Sequence, residues 1–211
     1  TLLTGSTLGN RVFQKIVRQL SGLGKIPSRP VEPSHEVKAC HVDVVVVGGG
    51  PAGLAAATHA ARAGARTLCV DEQDRGGGSL LCDPGFGLGD ARRAVDEARA
   101  AGVDLWTRST AIAWFPEDAG GLLGVVTPAG FRRVTATRYV YATGGYDNNL
   151  LFENNDLPGV FSARAVGRLL VRYGVRPGEN AIVAGSGAYA ERQAGALTDA
   201  VDRDLRLARA G

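Results

Sequence analysis

The sequence predicts an α/β fold whose centre is a parallel β-sheet covered by helices, and two observations carry that prediction. Four consecutive valines at 44–47 end in a glycine-rich turn, and an alanine-rich segment at 54–63 follows. Consecutive β-branched residues are typical of a strand buried on both faces, whereas Leu and Ala favour helix. A second apolar run at 66–70 completes a strand–helix–strand order, which predicts two parallel strands joined by a crossover helix.

The turn after the valines carries the pattern G-x-G-x-x-G, formed by Gly48, Gly50 and Gly53, and Asp71 ends the next strand. The first glycine allows a tight turn, the second lets a pyrophosphate approach the backbone, and the third allows close helix–strand packing. The helix N-terminus attracts phosphate, and the acid can accept hydrogen bonds from a ribose. The stretch therefore predicts a Rossmann-like site for FAD or NAD, because a carboxylate repels the 2′-phosphate of NADP. The alternative is a glycine-rich turn that holds no ligand.

The segment after Asp71 predicts an antiparallel β-meander inserted before the last parallel strand. A glycine-rich loop at 76–78 and an amphipathic helix at 89–101, capped by Asp90, precede the meander. Apolar stretches bounded by turn-forming residues then favour short strands. The predicted strands are 103–107, 111–115, 122–127 and 132–143.

The C-terminal part predicts the start of a second, incomplete Rossmann-like unit. Ser162 caps a helix that runs to Tyr173, and an apolar strand at 181–184 follows. The glycine pattern recurs there as G-x-G-x-x-A, in which alanine is allowed at the third position. A charged tail stands in place of a second strand, and one strand with one helix cannot form a nucleotide crevice. The residues of this candidate second nucleotide site are Gly185, Gly187 and Ala190.

Turn chemistry and composition divide the chain into four predicted segments. We expect the N-terminal amphipathic, basic helix to dock on the chain's own core or on another polypeptide of a complex, and a proline-containing linker follows it. The chain begins without methionine, so we expect that it is processed or is one piece of a longer protein. The segments are 1–25 for the helix, 26–41 for the linker, 42–160 for the dinucleotide-binding domain, and 161–211 for the connecting helix with the truncated second unit.

Composition narrows the classes of function. The 211 residues are 45% hydrophobic and 21% charged, which is ordinary for a soluble globular protein. The net charge is +3 and the arginines are spread along the chain, which argues against nucleic acid as a partner. No apolar run approaches the roughly 20 residues of a membrane helix, and no secretion signal is apparent. We therefore expect a cytoplasmic protein.

The cysteines and histidines form no recognisable catalytic or metal-binding pattern. Cys40, Cys69 and Cys82 are isolated, without a C-x-x-C pair, and the histidines have no ligand spacing with them. The sequence therefore predicts three structural thiols and no metal. It assigns no catalytic acid, base or nucleophile.

Three further segments are distinctive: VDEQDRGGGSLL at 70–81, ATGGYDNNLLFENNDLPGVFSA at 142–163 and YGVRPGENAIV at 173–183. They resemble the α subunit of heterotetrameric sarcosine oxidase. Opine oxidase and hydrogen cyanide synthase flavoprotein subunits and the α subunit of dye-linked proline dehydrogenase belong to the same set. This set lies within the glutathione-reductase-like flavoproteins, which carry two dinucleotide-binding domains. The resemblance runs from about residue 42 to 190 and is most specific at 155–160.

The resemblance implies an FAD-binding (or NAD-binding) subunit of a multi-subunit oxidoreductase that oxidises the C–N bond of an amine or amino acid. It implies FAD in the first nucleotide seat, with NAD or ATP as alternatives there, and FMN at a subunit interface as a further candidate. The partners it implies are other subunits of a hetero-oligomer and a sarcosine-, opine- or proline-like substrate. The implied nucleotide contacts are Gly48, Gly49, Gly50, Pro51, Ala52, Gly53, Asp71, Glu72, Gly78, Ser79, Ala111, Thr143 and Gly144.

Two other functions stay open at this point. One is a non-catalytic subunit that holds a nucleotide for structure, and the other is an NAD(P)H-dependent flavin reductase. The reductase needs a complete second nucleotide domain, and the second unit predicted here is incomplete. Because that unit is incomplete, we expect a split or truncated subunit that a partner chain completes. Packing alone also explains Thr143 and Gly144, because a tight turn after a buried strand favours glycine.

Overall fold

The computed structural model describes residues 11, 13–17, 37–83, 85–116, 121–148, 150–186, 190–191 and 193–198. The chain divides into two compact units, Thr1–Ser34 and His35–Gly211. In the first unit, the described residues 11 and 13–17 are helical, and they lie within the predicted N-terminal helix. Most of the predicted linker lies outside the described residues, and the limits of the four predicted segments stay predictions.

The second unit is built on a six-stranded sheet with the spatial order β3-β2-β1-β6-β5-β4. The strands are β1 (Lys38–Val47), β2 (Thr67–Val70), β3 (Asp104–Trp106), β4 (Thr110–Phe115), β5 (Leu122–Thr127) and β6 (Gly130–Tyr141). The helices are α1 (Pro51–Arg62), α2 (Leu88–Ala100) and α3 (Ala163–Tyr173), with a 3₁₀ helix at Gly78–Leu81 and helical residues at 190–191 and 193–198.

The valine run forms the centre of the parallel half of the sheet. β1 pairs in parallel with β2 and β6, and β2 pairs in parallel with β3. Val45 and Val46 are both fully buried but belong to two different clusters, the second of which contains Leu54 and Ala57 of α1. Neighbouring side chains of a strand point to opposite faces, so these two valines fill the core on both sides of the sheet. The prediction of a strand buried on both faces is confirmed.

The predicted meander is also confirmed, and it shares a strand with the parallel half. β4 pairs antiparallel with β5, and β5 pairs antiparallel with β6. The hydroxyl of Tyr139 in β6 accepts a hydrogen bond from Ala136 N (2.9 Å) and donates one to Gly121 O (2.7 Å). Its ring also makes an edge-to-face contact with Trp114 of β4, with 6.3 Å between centroids. These contacts fasten the meander to the same strand that pairs with β1, so the predicted α/β class holds for the whole sheet.

Two local expectations differ from the structure. β1 begins at Lys38, inside the predicted linker, because Lys38–Val42 pairs with Arg132–Ala136 of β6, a contact between distant parts of the chain. Asp90 does not stand at the cap position of α2. The cap is Gly87, and the Asp90 side chain lies in the first turn, where it accepts a hydrogen bond from Gly87 N (2.9 Å).

The predicted strand at 181–184 is wrong. Residues 181–186 have no regular secondary structure, and Ile182 is 99% exposed. An isolated strand leaves its N–H and C=O groups without partners, so a strand forms only where a neighbouring strand accepts it. Among the described residues no strand pairs with this segment. The predicted cap of the preceding helix is correct: the Ser162 hydroxyl accepts a hydrogen bond from Ala165 N (3.2 Å).

An ion pair beside the first paired residues of β1 and β2 gives a prediction of how stability depends on pH. Asp43 accepts hydrogen bonds from Arg66 N (2.8 Å), Nε (3.2 Å) and Nη2 (2.8 Å). These bonds to the Arg66 side chain and backbone lower the pKa of Asp43 to about 2. A lowered pKa in the folded state gives stability that is complete above the unfolded pKa and is lost as the pH falls through the folded pKa. We expect the native chain to exceed Asp43→Asn in free energy of unfolding at pH 6, with the difference shrinking between pH 4 and pH 2.

Urea unfolding of both proteins across this pH range measures the difference. Asp96→Asn is the matched control, because Asp96 lies 3.6 Å from Arg92 with both side chains largely exposed, and such pairs contribute little. A difference between the native chain and Asp43→Asn that is the same at pH 2 and pH 6 contradicts the prediction.

Candidate functional site

The glycine turn between β1 and α1 is tightly packed at two of its three pattern positions. Gly48 has φ +106°, and a Cβ atom there would lie 2.3 Å from Ala142 O. A Cβ atom on Gly53 would lie 1.8 Å from Gly48 O, so the start of α1 touches the turn directly. Real Cβ atoms do not approach oxygen atoms this closely, and an L-residue at Gly48 would also be strained. Both positions therefore require glycine for packing, whatever the turn binds.

The middle glycine differs, because its outer side is open. The nearest atom to a Cβ built on Gly50 is Gly78 Cα, at 3.8 Å, and the Gly50 backbone is extended with φ −75°. The protein itself therefore has no need for glycine at this position. A glycine with free space in front of it lets a ligand approach the main chain, which is its role in dinucleotide-binding turns.

The first turn of α1 offers hydrogen-bond donors and a favourable dipole to an anion. Gly50 is the N-cap, Pro51 occupies the first helical position, and Leu54 N makes the first intrahelical bond, to Gly50 O (2.8 Å). The amides of Ala52 and Gly53 therefore have no acceptor within the helix. The first turn carries no acidic residue. A diphosphate matches this combination of free amides and partial positive charge.

Asp71 lies directly under the glycine turn. Its carboxylate is 8% exposed, and it accepts hydrogen bonds from Gly49 N (2.5 Å, to Oδ2) and Gln73 N (2.7 Å, to Oδ1). A carboxylate oxygen can accept more than one bond, so Asp71 retains capacity for a sugar hydroxyl. The neighbouring Glu72 is exposed and accepts from Gln73 Nε2 (3.2 Å). Sequence reasoning missed the hydrogen bond from Gly49 N to Asp71, which makes Asp71 a support of the turn as well as a candidate ligand.

The glycine-rich loop at 76–78 packs against the turn. Gly77 N donates to Gly49 O (2.7 Å). Gly78 has φ +50°, and a Cβ atom there would lie 2.7 Å from Gly50 Cα. Ser79 follows in the 3₁₀ helix and is exposed. The loop therefore forms one side of the candidate nucleotide seat, and its contact with a ligand stays a prediction.

The end of β6 forms the opposite side. Ala142 N donates to Val47 O (2.8 Å), which holds the chain that leaves β6 against the glycine turn. Thr143 and Gly144 follow, and Gly144 has φ +73° with open space around a built Cβ. Ala111 lies in β4 opposite Val125, just after Ser109, whose amide donates to Asp71 O (2.9 Å). The structure thus places the ends of β1, β2 and β6 and the start of β4 around one turn.

The second glycine motif is not organised like the first. A Cβ atom on Gly185 would lie 2.8 Å from Ala190 Cβ, so these two residues are neighbours. No strand precedes them in the described part of the chain, and Gly187 lies outside the described residues. A second nucleotide site there stays a prediction.

The described residues contain no group of three or more His, Cys, Asp or Glu side chains that could hold a metal ion. All three cysteines are free, and Cys69 and Cys82 are buried. Burial, followed by the charge of Asp71, raises the pKa of Cys69 to about 12, so this thiol is not a nucleophile at neutral pH. Among the residues that the structure describes, no helix is both long and apolar enough to cross a bilayer.

Comparison with known proteins agrees with this geometry. Residues 43–84 match the family model of FAD dependent oxidoreductases. The chain is 36% identical over 195 residues to the alpha subunit of sarcosine oxidase from Rhizobium meliloti, a match that covers 84% of this chain and 20% of that protein. It is 29% identical over 187 residues to an opine oxidase subunit from Agrobacterium tumefaciens, a match that covers 78% of this chain and 36% of that protein.

A solved structure shows the same relationship. The L-proline dehydrogenase of P. horikoshii superposes with a TM-score of 0.65 at 28% identity, over 79% of this chain and 35% of that one. The chain resembles subunits of FAD-dependent oxidoreductases. The predicted resemblance and fold class are therefore confirmed. The chain spans between about a fifth and two fifths of the length of these relatives.

Proposed function

We propose that this chain is the FAD-binding part of an oxidoreductase that oxidises the C–N bond of an amine or amino acid. The observation that carries the proposal is the open backbone at Gly50, at the start of α1 and next to Gly49, whose amide donates to the Asp71 carboxylate. Similarity to sarcosine oxidase, opine oxidase and proline dehydrogenase supports the substrate class. FAD, when bound, supplies the acceptor for the hydride that leaves the carbon beside the nitrogen.

The residues of this chain bind and orient the nucleotide in this proposal. The amides of Ala52 and Gly53 hold the diphosphate, and the missing side chain of Gly50 allows it to approach. The Asp71 and Glu72 carboxylates accept hydrogen bonds from the ribose hydroxyls. The remaining predicted contacts, at Gly78, Ser79, Ala111, Thr143 and Gly144, would border the seat on its two sides.

The complete enzyme in this proposal contains further polypeptide. Two of the relatives are named as subunits, and this chain matches a minority of each relative's length. We propose that other subunits of a hetero-oligomer supply the substrate pocket and any catalytic acid or base. FMN at a subunit interface and a cytoplasmic location remain parts of the same proposal.

The proposal is tested on the protein purified with its native partners. Heating releases any bound nucleotide, which mass spectrometry identifies. A yellow protein that releases FAD and bleaches when sarcosine, proline or an opine is added agrees with the proposal. A colourless protein that releases NAD or ATP indicates a purely structural nucleotide-binding chain, and bleaching by NADH without an amine indicates a flavin reductase. Either of the last two results contradicts the proposal.

Gly50→Ala separates nucleotide binding from folding. A Cβ atom at Gly50 meets nothing closer than 3.8 Å in the protein, so we expect the free energy of unfolding without nucleotide to change by less than about 0.5 kcal/mol. The methyl group occupies the space that a diphosphate needs, so we expect the FAD dissociation constant to rise by about tenfold or more. Fluorescence titration and urea unfolding measure the two quantities. Unchanged FAD affinity with an unchanged fold shows that no diphosphate lies against Gly50.

A further inference from the structure

Helix α3 lies beside the nucleotide seat and carries a row of arginines. Arg164, Arg168 and Arg172 are spaced four residues apart, so they share one face of the helix. Arg164 contacts Asp147 and the Gly145 carbonyl in the segment after β6. The other two arginines reach the loop after β2. The row therefore spans both sides of the glycine turn.

Three contacts join this row to the loop after β2. Arg168 Nε lies 3.5 Å from the Cys82 sulfur at the end of the loop. Arg172 forms an ion pair with Asp74, and its Nη1 lies 3.5 Å from Gln73 Oε1. Asp74 follows Asp71 by three residues, so the ion pair is made by the same loop that carries the candidate ribose ligands.

Two hydrogen bonds connect the loop that faces Arg172 to the glycine turn. The amide of Gln73, whose side chain faces Arg172, donates to Asp71 Oδ1 (2.7 Å). The other oxygen of Asp71 accepts from Gly49 N (2.5 Å). A guanidinium on α3 is thus connected through Gln73 and Asp71 to the amide next to Gly50. A shift of this loop would move both the ribose ligands and the turn.

The burial of Arg172 distinguishes this ion pair from ordinary surface pairs. Its side chain is 13% exposed, and its guanidinium carbon lies 5.4 Å from the centre of the Tyr173 ring. The Arg92–Asp96 pair on α2, by comparison, has side chains 84% and 61% exposed. Exposed pairs are screened by water and contribute little, whereas a partly buried, hydrogen-bonded pair fixes the positions of its two segments.

The Asp74 carboxylate of the pair is ionised at neutral pH. Burial alone would raise the pKa of Asp74, but the hydrogen bond and charge of Arg172, with a contribution from Arg75, hold that pKa below its usual value. Because its pKa is lowered, Asp74 carries its negative charge when it faces Arg172 at neutral pH.

We propose that Arg172 is a positioning residue for the nucleotide: by holding Asp74 and Gln73, it fixes the loop that carries Asp71 and Glu72 against the glycine turn. This inference rests on the proposed function, because it assumes a nucleotide in that seat. It adds a residue distant in sequence from the glycine motif to those that determine nucleotide affinity.

The test compares Arg172→Gln and Asp74→Asn with the native chain, each within its native complex. Arg92→Gln is the matched control, because it removes an arginine from an exposed pair on another helix. The readouts are the FAD dissociation constant and the hydrogen exchange of residues 72–81. We expect both variants to raise the dissociation constant about tenfold and to speed exchange in this loop, while Arg92→Gln changes neither.

Reversal of the two charges distinguishes loss of this ion pair from a general loss of stability. The double variant Asp74→Arg with Arg172→Asp restores the pair in reverse, so we expect it to bind FAD more tightly than either of its single substitutions. If the native complex binds FAD and Arg172→Gln binds it equally well, this inference is wrong and the proposed function is unaffected. Native complex that binds no FAD overturns the proposed function, and this inference falls with it.

Discussion

Gly53→Ala is expected to lower the free energy of unfolding by about 3 kcal/mol and to abolish retention of FAD through purification. The added Cβ atom would lie 1.8 Å from Gly48 O and 3.3 Å from Ala142 Cβ. The obstacle is main chain, which cannot rotate away as a flexible side chain can. Relief requires that α1 move away from β1, and this movement opens the core at Val46 and Leu54 and displaces the amides that face the seat. Urea unfolding and the flavin absorbance of the purified complex measure the two effects.

Gly89→Ala is the control for this substitution. Gly89 lies in the first turn of α2, and a Cβ atom there meets nothing within 4 Å. Alanine is the better helix former, so we expect Gly89→Ala to be neutral or to stabilise the protein by up to about 1 kcal/mol. If Gly53→Ala proves as stable as Gly89→Ala, the close contact between α1 and the turn is not present in solution.

Asp71→Ala is the second substitution with a large expected effect, a loss of about 3 kcal/mol in the free energy of unfolding together with loss of bound FAD. It removes the acceptor of two amides, those of Gly49 and Gln73, and Gly49 lies in a buried part of the turn. Each buried donor left without a partner costs about 1–3 kcal/mol. Asp71→Asn keeps one acceptor oxygen, so we expect it to lie between the native chain and Asp71→Ala in stability.

Asp96→Ala serves as the control for the loss of a carboxylate. Its side chain is 61% exposed and pairs with the exposed Arg92, so we expect a change within about 0.5 kcal/mol. Urea unfolding of the protein without nucleotide isolates the role of Asp71 as a support of the turn. A stability for Asp71→Ala equal to that of Asp96→Ala would show that the carboxylate does not hold Gly49.

The parts of the fold that the sequence predicts are those determined by local chemistry. The valine run, the glycine turn and the helix after it follow from side-chain shape and from the conformations that glycine allows. Their order along the chain also predicts parallel pairing, since β1 and β2 are separated by a helix. The ends of β1, β2 and β6 lie at the same edge of the sheet because these strands run in parallel.

What the sequence could not predict depends on contacts between distant residues. The extension of β1 to Lys38 arises from pairing with Arg132 in β6. The residues at 38–41, Lys-Ala-Cys-His, do not alternate between apolar and polar and so give no local sign of a strand. The bond from Gly49 to Asp71 depends on how the carboxylate turns at the end of β2, a choice made by the folded surroundings. The ion pair between Arg172 and Asp74 joins residues that are almost a hundred positions apart in sequence. From sequence alone, an arginine on an amphipathic helix is usually expected to be exposed to solvent.

The wrong strand at 181–184 illustrates the opposite limit. Its residues, Ala-Ile-Val-Ala before a glycine pattern, are similar to those that open the chain's first motif. Similar local preference gives a strand at 44–47 and none at 181–184, because β1 has partners on both sides and the later segment has none in the described part of the chain. Strand propensity expresses fit to a sheet that must already exist.

β6 supplies hydrogen bonds to β1 along one edge and to β5 along the other. The parallel half of the sheet and the meander therefore both contain β6. Neither half can separate from β6 without the loss of its hydrogen bonds to that strand. We therefore expect the two halves to unfold together. We expect a recombination between related proteins that cuts within Gly130–Tyr141 to disrupt both halves at once, whereas a cut between β4 and β5 leaves the strand common to both halves intact.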